Sequence, residues 1–151
     1  MKKPTRLRTL AAAVLAVAVT AGVGAAMAQD VIKERQAGFK QNVDNMKAMA
    51  ASLKGGDVKA MQPRAEAIAA WAAKIPGMFP KGSGEGDTAA LPTIWTDWDG
   101  FTAAADANGK AAKHLAMVVA DGGDAAAAGA ALKALGGTCG ACHDKFRAKK
   151  E

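Results

Sequence analysis

The chain has 151 residues, half of them hydrophobic, with two cysteines, two histidines, no tyrosine and a formal net charge of +6. Four of its 20 basic residues lie within the first eight positions, and no acid precedes Asp30. Beyond residue 28, then, 16 basic side chains face 14 acidic ones, a net +2, which argues against a nucleic-acid partner.

Lys2, Lys3, Arg6 and Arg8 precede an apolar run from Leu10 to about Val23, and Ala26-Met27-Ala28 follows. A basic start, an apolar middle and a small-residue A-x-A site describe a secretory signal peptide. The run is short for a membrane span of about 20 apolar residues. Residues 1–28 are therefore expected to be removed on export, leaving 29–151 as one domain in the periplasm with no membrane anchor.

Val31 to about Leu53 reads as an amphipathic helix, with Ile32, Phe39, Met46 and Leu53 recurring every seven residues. Asp30 is its expected N-cap and Gly55-Gly56 its stop. A second helix follows Asp57, carrying Val58, Met61, Ala65, Ile68, Ala72 and Ile75 at core spacing. Pro63 interrupts that pattern, so it either bends the helix or moves its start.

Pro76 to Pro92 holds three prolines and four glycines, too punctuated for regular structure. It reads as one long crossover loop, long enough to be expected to cover something. A third helix is expected from Thr93 to about Ala120, with Ile94, Trp98, Phe101, Ala105, Ala112, Leu115 and Val119 on one stripe. Gly122-Gly123 ends it, and Asp124 caps a fourth helix.

That last helix carries Cys139-Gly140-Ala141-Cys142-His143, a C-x-x-C-H sequence. Two thiols three residues apart, with a histidine directly after the second, form the attachment signature of a c-type haem. On a helix the three side chains occupy i, i+3 and i+4 and share one face. Each thiol can add to one haem vinyl group, and the tether brings His143 beneath the iron. Three other readings compete. A thioredoxin-type pair belongs in a βαβ unit, and no strand pattern exists here. A tetrahedral zinc site needs four ligands, while the only other histidine is His114. A bare disulfide between helical positions three apart is poorly placed. Export and the count of two cysteines favour covalent haem. The thiols fall on the same stripe as Ala128, Leu132, Leu135 and Phe146, so the macrocycle is expected inside an antiparallel four-helix bundle, an all-α fold.

Together, the C-terminal C-x-x-C-H running on to Phe146-Arg147, the opening Arg35-Gln36-Ala37-Gly38-Phe39-Lys40, and Ile94-Trp95 through Trp98 and Phe101 resemble the cytochrome c′ family. The resemblance covers nearly all of the chain beyond the leader. It implies His143 as proximal iron ligand, Cys139 and Cys142 as thioether attachments, and Phe39 as the distal residue over the sixth coordination site. It also implies Arg35 near the haem propionates, Arg147 near the proximal histidine, and a homodimer built from the first two helices. A low-spin branch of the family places a ligating methionine at the Phe39 position; phenylalanine has no lone pair to donate. The resemblance therefore implies a five-coordinate, high-spin iron with an apolar open face, suited to NO and CO.

Other side chains compete as sixth ligand. Met46 lies two turns beyond Phe39, about 10 Å by helical rise, and is expected to miss the iron. Met49, Met61 and Met117 read as core filling, whereas Met78 in the Gly/Pro loop has freedom to swing inward. His114 is off the apolar stripe and is expected at the surface. Trp95 and Trp98 are expected to pack. The leading reading is thus a periplasmic gas-binding haem protein able to undergo one-electron redox with an unidentified partner, and not an enzyme, since no distal His, Asp or Glu stands near Phe39 for peroxidase chemistry. The alternative is a low-spin electron carrier with an unrecognised sixth ligand.

Overall fold

The computed structural model describes residues 18–149, with side chains described from Ala28 onward. Helix α1 (Ala18–Gly55) leads through a 3₁₀ turn (Val58–Met61) into α2 (Gln62–Lys74). A second 3₁₀ turn (Ile75–Met78) opens the long loop, after which come the one-turn α3 (Thr93–Thr96), α4 (Trp98–Ala120) and α5 (Ala125–Phe146). Helices α1, α2, α4 and α5 form the antiparallel four-helix bundle expected from the patterning, with α4 packed between α2 and α5. Among the described residues the extended contact is one isolated antiparallel bridge, Ala90 with Arg147.

Local chemistry explains most boundaries. Gly56 and Gly122 take positive φ, 81° and 80°, and end α1 and α4. At the first, the amides of Gly56 and Asp57 reach back to the carbonyls of Leu53 and Ser52 (3.3 and 3.0 Å). At the second, Gly122 and Gly123 do the same to Val119 and Val118 (3.1 and 2.9 Å). Both are Schellman closures, which a residue without Cβ adopts freely. The Asp57 carboxylate accepts from the Ala60 amide (3.3 Å) and starts the 3₁₀ turn; Pro63 falls in the first turn of α2, where its missing N–H costs nothing. Pro63 has moved the helix start rather than bent its middle. Asp124 caps α5 through the Ala127 amide (2.8 Å).

Two boundaries differ from the sequence pattern. Helix α1 begins at Ala18 and runs through Asp30, which is therefore not its N-cap. The alanine-rich, proline-free stretch before Asp30 sustains the helix on propensity. It also passes through Ala26-Met27-Ala28, while residues 1–17 of the expected leader lie outside the described residues. The helix expected from Thr93 to Ala120 is divided at Asp97 (φ −127°, ψ 59°). Its carboxylate accepts from the Gly100 amide (3.1 Å), and this side-chain cap out-competes continuation of the backbone ladder.

The core is in two parts. At one end Met49, Met61, Ile68, Leu115, Val119, Leu132 and Leu135 make an aliphatic cluster shared by all four bundle helices. At the other, Ile75, Phe79, Ile94, Phe101 and Phe146 make an aromatic cluster, with Phe39, Trp71, Trp95 and Cys142 packed against it. The rings meet mostly edge to face, Phe79 with Phe101 at 4.9 Å and Phe101 with Phe146 at 5.4 Å between centroids. That aromatic end holds the site.

Candidate cofactor site

Helix α5 continues unbroken through Gly136-Gly137, so Cys139, Cys142 and His143 stand on one helical face, as their spacing predicts. All three are half-buried and line a cavity of about 710 Å³. A cofactor pocket is typically about 300–1,000 Å³. The two sulfurs are not bonded to each other. Opposite them stand Phe39, Val43 and Met46 of α1; Phe79, Thr88 and Ala90 of the loop, Phe101 and Ala105 of α4 and Phe146 of α5 complete the wall.

Phe39 faces His143 across this space, with ring centroids 6.4 Å apart and planes at 75°. That separation is within edge-to-face range for two rings on opposite walls of the cavity. Burial lowers the His143 pKa below the ordinary imidazole value, Arg147 lowers it further, and Asp144 opposes both. The shift favours the neutral ring, the form with a lone pair for a metal. Burial also pushes both thiols up, Cys139 against the opposing contact with Asn108.

Arg35 is 2% exposed, although it is a cation, and none of its hydrogen-bond partners among the described residues is a carboxylate. One terminal nitrogen donates to the Met78 carbonyl (3.3 Å) and Ser83 Oγ (3.0 Å). The other donates to the Ser83 carbonyl (2.8 Å) and Thr88 Oγ1 (2.6 Å). Its guanidinium carbon lies 4.4 Å from the Phe79 ring centroid. Arg35 therefore both borders the cavity and lashes the long loop to α1. From the other side, Leu91 N donates to Phe146 O (3.1 Å) and Ala148 N to Ala89 O (2.8 Å). Trp95 Nε1 donates to the Phe79 carbonyl (3.1 Å). The loop expected to cover something does so: residues 88–90 form part of the cavity wall.

The residues around the cavity include four cations, Arg35, Lys40, Lys47 and Arg147, and no carboxylate. The donor set fits haem: two thiols at attachment spacing, one imidazole, an apolar interior, and cations enough to balance two propionates.

The remaining candidates divide. His114 is exposed, as expected. Met78 packs into the aromatic cluster and is absent from the cavity lining, so its expected freedom to swing inward is not realised here. Met46, expected to miss the iron, is the one methionine among the residues lining the cavity, with its Cε close to Gly136. A methionine's long side chain leans along its helix, which a count of backbone rise ignores. Near the C-terminus, Lys145 pairs with Asp97.

The sequence reading passed over Asn108 and Thr138. Asn108 is 7% exposed and its amide donates to Thr138 Oγ1 (2.9 Å), with Cys139 Sγ at 3.6 Å. Its signal was an asparagine on the apolar stripe of α4 itself, three residues after Ala105 and four before Ala112, a core-facing polar position whose partner appears only with the neighbouring helix in place.

The comparisons agree with this geometry. A sequence model of the family Cytochrome C′ matches residues 30–147. The chain is 42% identical over 120 residues to the cytochrome c′ of Pararhodospirillum photometricum, covering 77% of this chain and 94% of that one. It superposes on the crystal structure of cytochrome c′ from Rhodopseudomonas palustris with a TM-score of 0.72 at 38% identity, covering 81% and 98% of the two chains. A variant of the cytochrome c prime of Alcaligenes xylosoxidans, solved as its nitric oxide complex, gives 0.71 at 29% identity, covering 82% and 97%. The chain belongs to the cytochrome c′ family, four-helix-bundle proteins that carry one covalently bound haem c.

Proposed function

We propose that the protein is exported, loses residues 1–28, and serves in the periplasm as a haem protein that binds NO or CO at an open iron site and cycles between ferric and ferrous states. Cys139 and Cys142 would hold the macrocycle through thioethers, and His143 would offer its lone pair to the iron. Arg35 supplies positive charge toward the propionates, and Arg147 stands beside the proximal histidine. When bound, the haem would supply a redox-active iron able to take a diatomic ligand. The observation that carries this reading is Phe39 opposite His143: a side chain without a donor atom stands where a sixth ligand would come from. The nitric oxide complex of the Alcaligenes xylosoxidans relative supports it.

Neither a carboxylate nor a second imidazole lines the cavity, which favours ligand binding over peroxidase-type turnover. A homodimer through α1 and α2 is part of the same proposal.

The test is the optical spectrum of the purified holoprotein, ferric and ferrous, with and without CO. High-spin bands that shift promptly with CO are expected; a low-spin spectrum unmoved by CO would overturn the open-site reading. One observation favours a second reading, a low-spin electron carrier: Met46 borders the cavity with a thioether. Met46→Leu separates the two, because only a ligating Met46 turns a low-spin spectrum high-spin on substitution.

A further inference from the structure

Behind Phe39, outside the cavity lining, stands Trp71 of α2. Its ring meets Phe39 edge to face, centroids 5.9 Å apart and planes at 84°. Two oddities accompany this contact. The indole Nε1 is fully buried with no hydrogen-bond partner, whereas a buried tryptophan N–H ordinarily finds one. And Gly38, the residue before Phe39, is the seat on which the indole lies. A Cβ built there would stand 2.1 Å from two ring carbons of Trp71 and 2.5 Å from a third. Only a residue without a side chain permits that approach. The fold thus leaves a donor unpaired and a helix position bare, and what the arrangement achieves is a large rigid ring pressed against the back of Phe39. Phe79 touches Phe39 from another side, at 6.4 Å and 56°.

We propose that Trp71, seated on Gly38, fixes the Phe39 ring over the open face of the haem and so sets the size of ligand admitted there. Trp71 is a positioning residue, acting on the ligand only through Phe39. The proposal rests on the open-site reading above. With the indole in place, Phe39 cannot retreat and a ligand bulkier than a diatomic meets its edge. Removing the indole opens a space into which Phe39 can turn, relieving bulky ligands more than small ones.

The experiment compares association rates of CO and n-butyl isocyanide to the ferrous holoprotein in the wild type, Trp71→Ala and Gly38→Ala. The ratio of isocyanide to CO rate is expected to rise on the order of tenfold in Trp71→Ala, the usual scale of steric discrimination in an apolar pocket. Gly38→Ala, which displaces the indole by its methyl group, shifts the ratio the same way, and Gly38→Ala/Trp71→Phe, with a smaller ring, brings it back toward the wild type. A second readout needs no kinetics: nuclear Overhauser contacts from the Phe39 ring to residues of α2 in the CO-bound ferrous protein weaken in both single variants. An unaltered rate ratio in a folded Trp71→Ala protein that still binds CO overturns the proposal, leaving Phe79 as sufficient support for Phe39. A wild-type protein that takes up no CO would instead bring down the open-site reading, and this proposal with it.

Discussion

Phe39 and His143 face each other across the cavity at 6.4 Å, one ring at the edge of the other, and the Phe39 side chain carries no donor atom. Changing that one side chain should change the coordination. Phe39→Met places a thioether there, and the ferric spectrum is expected to move from high-spin to low-spin. CO binding should weaken on the order of tenfold or more, since the ligand then competes with an internal one. Phe39→Leu, equally apolar, should stay high-spin. A high-spin Phe39→Met spectrum would show that residue 39 does not overlie the iron.

Arg35 makes a different kind of prediction, because its four terminal donor contacts all go to the crossover loop. Arg35→Gln keeps polarity but cannot span Met78, Ser83 and Thr88 together. It should cost on the order of 2 kcal/mol, as buried hydrogen bonds from a charged donor do when lost. Limited proteolysis should then cut between residues 79 and 92 faster than in the wild type. Equal cleavage would mean that the stitching of residues 89–91 to the end of α5 holds the loop by itself.

The aliphatic end of the bundle is separable from the site. Leu115 is fully buried among Met61, Ile68 and Leu132, and does not line the cavity. Leu115→Ala should destabilise the fold by about 2–5 kcal/mol, the range for truncating a buried leucine. Denaturant unfolding reads that loss, while the CO association rate of the folded variant should be unchanged. A changed rate would show that the two halves of the core move together.

Asp97 links the break between α3 and α4 to the end of α5. Its pKa is lowered by the hydrogen bond with Lys145 first and the Gly100 amide next, so the folded protein prefers the carboxylate. A lowered folded pKa contributes stability above the ordinary carboxylate value of about 4, lost as the pH falls through the folded value. Asp97→Asn keeps a capping oxygen but loses the charge. Its melting temperature should lie below that of the wild type at pH 6, and the gap should close as the pH is lowered toward 2. A gap that persists in acid would assign the effect to capping alone.

The sequence by itself determined the helices and the attachment chemistry, because both are local. A seven-residue recurrence such as Ile32, Phe39, Met46 and Leu53 follows directly from 3.6 residues per turn. Gly56 and Gly122 announce helix ends because positive φ is their ordinary freedom. C-x-x-C-H needs only one helix to bring its three side chains to one face. Where a side chain competed with the backbone the pattern was ambiguous: Asp97 looked like one more polar residue on a helix, and only its bond to Gly100 shows the break.

Only the tertiary structure decided which residues meet across elements. Arg35 reads as a helix charge until the loop folds over it and takes its donors. That Met46 lines the cavity shows only when its side chain is placed toward α5. Trp71, on a helix whose stripe points elsewhere, acquires its place behind Phe39 because Gly38 of another helix leaves it room. Spacing along a chain fixes direction within one helix; the approach of two helices depends on the sizes of side chains distant in sequence, and those add up only when the bundle closes.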